Sequence, residues 1–528
     1  MNDQSFWVSV DDLKAYANVF YGLIPGGVSV LDDTDSDIQV PNNINSFLWG
    51  QYVVPTEGGV WQKSSWQNIR NINYFMTHYQ SVQAAEADVN IYVAEMRFFR
   101  ALEYFNKIQL LGDVPWLEVD LNVDSEELYG PKMKRNQVFQ KIIEDLDFAI
   151  QWLPEAGSEE ANRLNKDIAR HVKARFCLNE GTHYKYHDEL EYASEAEKWL
   201  QMAATESDKL ITSGRYEIYN TGHPQEDYFN MYRIDDKSDL KEAVLYVDYK
   251  TNIREHNMAA AGREAGCGFS KSFVESFLCS DGLPISLSNK YLGDETMRKE
   301  TANRDPRLKQ LILTNDFPTN VTDDLKDSTF VVNEDEFITQ HCFTGYRPIK
   351  GFNPIYSQAL YMKSSFDGIA YRYAETLLIN AEAKAELNTI TNADLDRTVN
   401  QLRDRVGMPH LTVNVGFTDP KWPDWGYSLS PVLQEIRRER CIELAGEGFR
   451  FNDLKRWKAG KLLNNVLTYV GKRKPDGNLA IVYPNYTNPD LSYQAGKNRT
   501  WEDKMYLYPI PTGELQRNPQ LLPQNPGW

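Results

Sequence analysis

The chain repeatedly forms long helical patterns in which apolar residues occupy two faces instead of one. At positions 94–116 the sequence reads AEMRFFRALEYFNKIQLLGDVPW, where Phe98 and Leu102 recur at helical spacing and Met96 begins a second apolar face. A helix that is apolar on two sides has to be buried between neighbouring helices. The pattern ends at Gly112, a residue that commonly terminates helices.

Further segments of this kind follow in pairs. They cover 135–155, 166–187, 194–219, 371–387 and 392–407. Small residues such as Ala374, Ala381 and Ala383 allow two helices to cross closely. A helical pair cannot bury its apolar face alone and therefore stacks on the next pair. We predict a mostly α fold, a scaffold of degenerate tetratricopeptide-like helical pairs that form an α-α superhelix.

The segments between the helical pairs have a different composition. They are rich in Gly, Pro, Asn and Asp, and EAVLYVDY at 242–249 alternates as a short strand does. We predict a single domain over 1–528 with long loop insertions and a few short strands. The scaffold lies mainly in 67–213 and 366–470. The loops that bind ligand lie mainly in 24–66, 215–365 and 411–431, because long ordered loops are usually functional.

Charge and motif content exclude several functions. The 57 Lys and Arg against 75 Asp and Glu leave a net charge of −18 without a basic run, which argues against nucleic acid as a partner. The sequence contains no phosphate-binding loop, no dinucleotide fingerprint, no HExxH and no GxSxG. Five widely spaced cysteines suggest buried thiols. We therefore expect no catalytic residues, no cofactor and no metal.

The most highly charged stretch, RRERCIELAGEGFRFNDLKRW at 437–457, has two interpretations. Glu439, Glu443 and Glu447 form a column at i, i+4 spacing, which is unfavourable unless basic partners neutralise it. Arginines within the same stretch offer bidentate pairing. An acid–base site would instead need carboxylates held apart in a cleft. We favour an ion-paired scaffold, and we expect a second ion-paired helix at Glu95, Arg97 and Arg100.

Seven segments together resemble the SusD-like (RagB/SusD) family. Four are AEMRFFRALEYFNKIQLLGDVPWL, YRYAETLLINAEAKAEL, IRRERCIELAGEGFRFNDLKRWKAG and YLYPIPTGELQRNPQLLPQNPGW, and the other three are FVESFLCSDGLPI, NRDPRL and TGYRPIK. They span nearly the whole chain. The resemblance implies a fold with four tetratricopeptide-like pairs whose loops build the ligand site. It also implies that the charged stretch is structural, so that a ligand site is expected elsewhere.

The resemblance implies a function as well. SusD-like proteins are surface-exposed outer-membrane lipoproteins of Bacteroidetes-type bacteria, and they are not enzymes. They capture a glycan, or sometimes another nutrient, and pass it to a SusC-like TonB-dependent transporter. The expected partners are therefore a glycan and such a transporter. The family's signal peptide and lipid-carrying Cys are expected upstream of this chain, so that an N-terminal lipid anchor provides the only membrane contact.

A sugar site needs an exposed aromatic platform surrounded by hydrogen-bonding groups. Two loop regions meet that description, with Trp422 and Trp425 in reserve. Their candidate ligand-binding residues are Asp33, Asp35, Asp37, Trp49, Tyr52 and Trp61 in the first, and Tyr291, Tyr346 and Arg347 in the second. The three aspartates do not form an EF-hand, because Ile38 and Ile44 occupy the positions of its Gly and Glu. They fit a solvated turn, sugar contacts or an irregular cation site.

Two other functions remain open from the residues themselves. One is a glycoside hydrolase on a helical scaffold, and the other is an intracellular repeat adaptor that binds a peptide in a helical groove. Within the family that the chain resembles, a member that binds a peptide or another nutrient is a further alternative. The sequence does not identify the glycan. The acidic net charge disfavours a heavily sulfated or uronate-rich polymer, since charges of the same sign repel.

Overall fold

The protein is described by a computed structural model that covers residues 6–29, 31–42, 45–481 and 499–528. It is mostly helical, as predicted. The chain groups into two compact units, the first made of Met1–Pro25, Tyr52–Phe176 and Glu502–Trp528, the second of Gly26–Gln51 and Cys177–Trp501. Within the described ranges, no helix has both the length and the apolar character required to cross a lipid bilayer.

The α-helices are named here in chain order. They are α1 (Val10–Asn18), α2 (Gln67–His78), α3 (Glu86–Leu111), α4 (Arg135–Trp152), α5 (Lys166–Tyr186), α6 (Ala196–Thr212), α7 (Asp227–Met231), α8 (Met258–Arg263), α9 (Lys271–Ser276), α10 (Met297–Thr301), α11 (Arg307–Leu311), α12 (Tyr373–Glu386), α13 (Asn392–Arg397), α14 (Val399–Arg405), α15 (Pro431–Glu443), α16 (Arg450–Arg456) and α17 (Thr512–Arg517). Short 3-10 helices connect several of them.

The strands are short and pair two by two, always antiparallel. They are β1 (Gln39–Pro41), β2 (Ala243–Val247), β3 (Cys267–Phe269), β4 (Pro318–Val321), β5 (Ser328–Phe330), β6 (Gly368–Arg372), β7 (Val470–Arg473) and β8 (Leu479–Ile481). The pairs are β1 with β3, β2 with β6, β4 with β5, and β7 with β8. The strand predicted at 242–249 is confirmed as β2.

In the first unit α3 packs against α1, α2 and α4. Phe98, Phe99 and Met96 have no exposed surface, which confirms the two apolar faces of this helix. The helix ends at Leu111 as predicted. Gly112 follows at φ +74°, a backbone conformation that residues with a side chain rarely adopt, which explains the glycine at this turn.

The ion pairs predicted for α3 are confirmed. Arg100 donates to both carboxylate oxygens of Asp145 at 2.7 Å, and Arg97 Nε donates to the same carboxylate at 2.6 Å. Asp145 belongs to α4, so these bonds join the two helices. Glu95 pairs with Arg163 at 2.6 Å. Because all these acids are buried, each depends on its arginine for compensation.

In the second unit α12 packs against both α6 and α15. Ala374, Ala381 and Ala383 are fully buried, as close helix crossing requires. The predicted helix 392–407 is broken at Thr398, whose φ of −128° and ψ of −97° are not helical, and it forms α13 and α14 instead. Local periodicity continues across the break, so the sequence pattern did not reveal it.

A buried ionic network holds the second unit together. Glu443, the last residue of α15, is 0% exposed and contacts three arginines that are also buried. The oxygen–nitrogen distances are 3.0 Å to Arg307, 2.6 Å to Arg372 and 2.6 Å to Arg405. These arginines belong to α11, β6 and α14. One carboxylate therefore connects four elements that are far apart in the sequence.

Glu447 completes the network, but its position corrects one detail of the prediction. Glu447 lies beyond the end of α15, so the three glutamates do not form a continuous helical column. Its carboxylate still pairs with Arg372 at 2.8 Å and with Lys350 at 2.6 Å. Burial opposes ionisation, but Arg372 and Lys350 outweigh it and lower the pKa of Glu447.

The charged stretch is confirmed as an ion-paired scaffold, although its arginines use partners other than the glutamate column. Arg456 forms a bidentate pair with Glu382 of α12 at 2.6 and 2.8 Å. Arg440 donates to Asp453 at 2.8 Å, and Arg437 donates to Glu386 at 3.0 Å. The basic partners of Glu439, Glu443 and Glu447 come instead from segments that are distant in the sequence. Only folding brings these groups together.

We expect Glu443→Gln to reduce the free energy of unfolding by about 3–5 kcal/mol, because it leaves buried arginines without their counter-charge. Urea denaturation followed by circular dichroism measures the change. Glu217→Gln is the control, since Glu217 pairs with Lys241 on the surface, where such pairs contribute about 0–1 kcal/mol. Equal losses in both variants would contradict a special role for the network.

The contribution of Glu443 should also depend on pH. Burial alone would raise its pKa, but Arg405, Arg372 and Arg307 hold the pKa well below its usual range. A carboxyl group whose pKa is lower in the folded state makes its full contribution to stability above its unfolded pKa of about 4.3. That contribution decreases as the pH falls below this value. The difference in unfolding free energy between wild type and Glu443→Gln should therefore shrink from pH 6 to pH 3. A constant difference would refute this assignment.

Candidate functional site

The second unit contains a cavity of about 560 Å³. Its walls come from α9, from the loop that precedes α15, from α15 itself and from the segment that follows α16. Cavities of roughly 300–1,000 Å³ are the size of typical small-molecule sites. We call it the Trp422 cavity, after the partly exposed indole in its wall.

The loop before α15 is held in place by the helix that it precedes. Trp422 donates its indole N–H to Glu435, and Trp425 donates to Gln434, each at 2.7 Å. The two acceptors are consecutive residues near the start of α15. Trp425 is buried, whereas Trp422 keeps part of its ring exposed. Trp422 is thus a partly exposed lining residue whose indole N–H is anchored to α15.

The inner wall is formed by the charged scaffold stretch. The guanidinium of Arg437 lies 4.8 Å from the ring centre of Trp425 and 4.3 Å from that of Trp457, within the range of cation–π contacts. Its charge is compensated by Glu386. Arg437 therefore holds the two tryptophan rings and the Glu386 carboxylate in fixed positions relative to one another.

The base of the cavity contains an ion pair between distant segments. Arg450 donates through Nε and Nη2 to the two oxygens of Asp37, both at 2.8 Å. Both residues are buried. Arg450 Nη1 is also buried and has no hydrogen-bond partner among the described residues. That N–H is closed off from solvent, so this ion pair supports the lining and does not itself face the open cavity.

The remaining polar groups are distributed around the walls and the opening. Lys421 pairs with Glu275 at 2.8 Å, and Arg438 pairs with Asp419 at 2.6 Å. The other polar lining residues are Ser272, Ser276, Asp424, Gln434, Lys461, Asn465 and Thr468. Apolar contact comes from Phe273, Leu462 and Leu467. This mixture of one exposed indole and many hydrogen-bonding groups suits a ligand with apolar and hydroxylated faces.

Of the predicted aspartates, only Asp37 lines the cavity. Asp33 is 1% exposed and accepts the backbone N–H groups of Gly446 at 2.7 Å and Arg450 at 2.9 Å. Burial raises its pKa to about 7, against the effect of those two N–H groups. Asp35 is exposed and accepts from Asn45 at 2.6 Å. Among the described residues, no three His, Cys, Asp or Glu side chains group as metal ligands.

The predicted aromatic residues of 24–66 lie outside the cavity lining. Trp49 is buried, with its ring centre 5.6 Å from that of Tyr469. Tyr52 and Trp61 belong to the first unit and are partly exposed. Trp61 packs edge-on against Trp66 at 5.2 Å. A ligand role for Tyr52 and Trp61 stays a prediction, whereas Trp49 presents almost no surface.

The predicted residues of the middle loops also lie apart from the cavity. Tyr346 is fully buried and donates its hydroxyl to Glu300 at 2.8 Å, so it serves packing and not an open binding surface. Tyr291 is partly exposed, with the guanidinium of Arg304 5.3 Å from its ring centre. Arg347 is partly exposed and lies 5.5 Å from the Phe352 ring centre. For these last two, ligand contact stays a prediction.

Sequence reasoning missed most of the cavity. The reserve residues Trp422 and Trp425 both line it, but the charged stretch, which was assigned to the scaffold alone, also supplies Arg437, Arg438 and Arg450. The Pro-rich loop around Trp422 was the available signal. The serines of α9 gave no such signal in the sequence. The pattern of a short amphipathic helix does not show which other segments the helix faces in the folded protein.

Comparison with known proteins identifies the family. The family model described as the SusD family matches residues 212–528, which is more than half of the chain. The chain therefore belongs to the SusD family. A curated relative, SusD-like protein P2 of Formosa agariphila, is 25% identical over 456 residues, which cover 84% of this chain and 75% of the relative.

Solved structures agree on the fold. A SusD-like protein of Bacteroides fragilis superimposes with a TM-score of 0.75 at 24% identity, covering 100% of this chain and 99% of that chain. A SusD-like carbohydrate-binding protein of the same species gives a TM-score of 0.71 at 20% identity, covering 98% and 100%. At these identities the likeness concerns the fold.

The two cavity tryptophans should differ in their contribution to stability. Trp425→Ala removes a buried ring and should reduce the free energy of unfolding by about 3–5 kcal/mol. Trp422→Ala removes a partly exposed ring with one hydrogen bond and should cost only about 1 kcal/mol. Urea denaturation of both variants measures this difference. A Trp422→Ala protein as destabilised as Trp425→Ala would show that Trp422 serves packing instead of ligand contact.

Proposed function

We propose that this protein captures a glycan in the Trp422 cavity and delivers it to a SusC-like TonB-dependent transporter. The observation that carries the proposal is the partly exposed Trp422 ring beside buried hydrogen-bonding groups in a cavity of about 560 Å³. Family membership supports it, and so does the description of one structural relative as a carbohydrate-binding protein.

A sugar ring matches this arrangement chemically. Its C–H face packs on an aromatic ring, and its hydroxyl groups both donate and accept hydrogen bonds. Ser272, Ser276 and Asn465 line the same cavity and offer both donors and acceptors.

The protein acts, on this proposal, by binding and not by catalysis. Hydrolysis of a glycoside requires two carboxyl groups, one of which donates a proton. The buried acids of the cavity are instead engaged by cations, Asp37 by Arg450 and Asp419 by Arg438. The proposed location is the cell surface, where an N-terminal lipid anchor would hold the protein at the outer membrane beside its transporter.

The proposal is tested by binding of neutral polysaccharides, using affinity electrophoresis and calorimetry. The panel contains fructans, glucans, mannans, xylans and pectic polymers. We expect selective binding of one polymer and a loss of at least about tenfold in affinity, or 1.4 kcal/mol, in Trp422→Ala. The lost stacking surface is the physical reason.

Trp61→Ala is the matched control, because it removes the same partly exposed side chain from a site outside the cavity. It should bind like the wild type. Binding lost in Trp61→Ala but kept in Trp422→Ala would place the site in the first unit and refute the cavity. New reducing ends released from the bound polymer would refute a binding-only role.

A further inference from the structure

The charges of the Trp422 cavity are balanced by partners within the protein. The lining contains five cationic and four anionic side chains. They are Lys421, Arg437, Arg438, Arg450 and Lys461 on one side, and Asp37, Glu275, Asp419 and Asp424 on the other. Arg437 is paired with Glu386, which lies outside the lining, so that every arginine of the lining has a carboxylate partner.

The arginines of the cavity lining already form ion pairs with carboxylates of the protein. Arg438 lies 2.6 Å from Asp419 and 3.3 Å from Glu435, and Arg450 holds Asp37 in a bidentate pair. Among the described lining residues, the charged groups without an ion pair are Lys461 and Asp424, one of each sign. Both are exposed, where solvent screens them.

What the walls offer instead is neutral hydrogen bonding. Ser272, Ser276, Gln434 and Asn465 contribute hydroxyl and amide groups to the lining. Sugar hydroxyls exchange hydrogen bonds with such groups without bringing a net charge into the cavity. A carboxylate or sulfate would lose its hydration shell here and find each buried cation already neutralised, which makes its transfer unfavourable.

We infer that the cavity selects an uncharged sugar residue and rejects the same residue when it carries a carboxylate. The inference rests on the proposed glycan-binding function and adds the substrate class. The charge of the whole chain acts in the same direction, because a net charge of −18 repels an approaching polyanion. Selectivity therefore operates both at long range and inside the cavity.

The test compares each neutral hexasaccharide with its own C6-oxidised form by calorimetry. Suitable probes are hexasaccharides of β-1,3-glucan, β-1,4-glucan, α-1,4-glucan and β-1,4-mannan. We expect the neutral form that binds to bind at least about tenfold more tightly than its uronate counterpart. Its affinity should change less than about twofold between 0.05 and 0.5 M NaCl, because no net ion pair forms.

A charge variant makes the test specific to the cavity. Glu275→Gln removes the carboxylate that pairs with Lys421 at 2.8 Å and with Lys271 at 3.7 Å, so the net charge of the wall becomes one unit more positive. We expect the preference for the neutral form to shrink about threefold to tenfold, since such pairs contribute about 1 kcal/mol. Glu255→Gln removes a carboxylate from a similar pair with Lys363 outside the cavity, and it should leave the preference unchanged.

The outcomes separate the inference from the function on which it rests. Tighter or equal binding of a uronate form would overturn the inference and leave glycan capture standing. A preference unaffected by Glu275→Gln would show that the cavity charges do not set it, which also overturns the inference. If no hexasaccharide and no polymer of the panel binds, the proposed function itself fails.

Discussion

The carboxylate of Glu443 organises the second unit, because it is buried against three arginines that the sequence places far away. Removing any charge from this cluster would leave the others without compensation in a medium that solvates them poorly. The network fixes the end of α15 relative to α11, β6 and α14. Arg438 lies five residues earlier, roughly 140° around the helix, so a different face of the same helix is free to line the Trp422 cavity.

The N-terminal aspartates illustrate how scaffold and cavity depend on each other. Asp33 accepts the backbone N–H of Arg450 at the start of α16, while Asp37 holds the Arg450 side chain. The same arginine therefore receives one carboxylate at its backbone and another at its guanidinium. This arrangement fastens the loop near residue 35 to the scaffold and places Arg450 in the lining of the cavity. An acidic cluster that resembles a cation site is instead a connection between segments.

Much of the fold could be read from local patterns. The two-sided helix ending at Gly112 and the strand at 242–249 were predictable, because each depends on residues within a few turns of one another. The ion-paired character of 437–457 was predictable from its charge density, but its partners were not, since Arg456 pairs with the distant Glu382. The break at Thr398 was not predictable, since the apolar periodicity runs through it. Some of the candidate ligand residues lie in the interior of the protein, which the sequence did not reveal for a similar reason. Tyr346 and Trp49 occur in loop-like sequence, yet folding buries both, and composition does not report burial.

The amino-acid sequence established the class of fold, the family resemblance and the presence of buried charge, since periodicity and motif order are properties of neighbouring residues. Folding established which charges meet. Glu443 bonds to Arg307, and Asp37 bonds to Arg450, across separations of 136 and 413 residues. The cavity belongs to the same category, because its walls combine α9, the Trp422 loop and α15, which share no local pattern. Its arginines are also paired across long separations, Arg450 with Asp37 and Arg437 with Glu386, and for that reason the cavity became visible only in three dimensions.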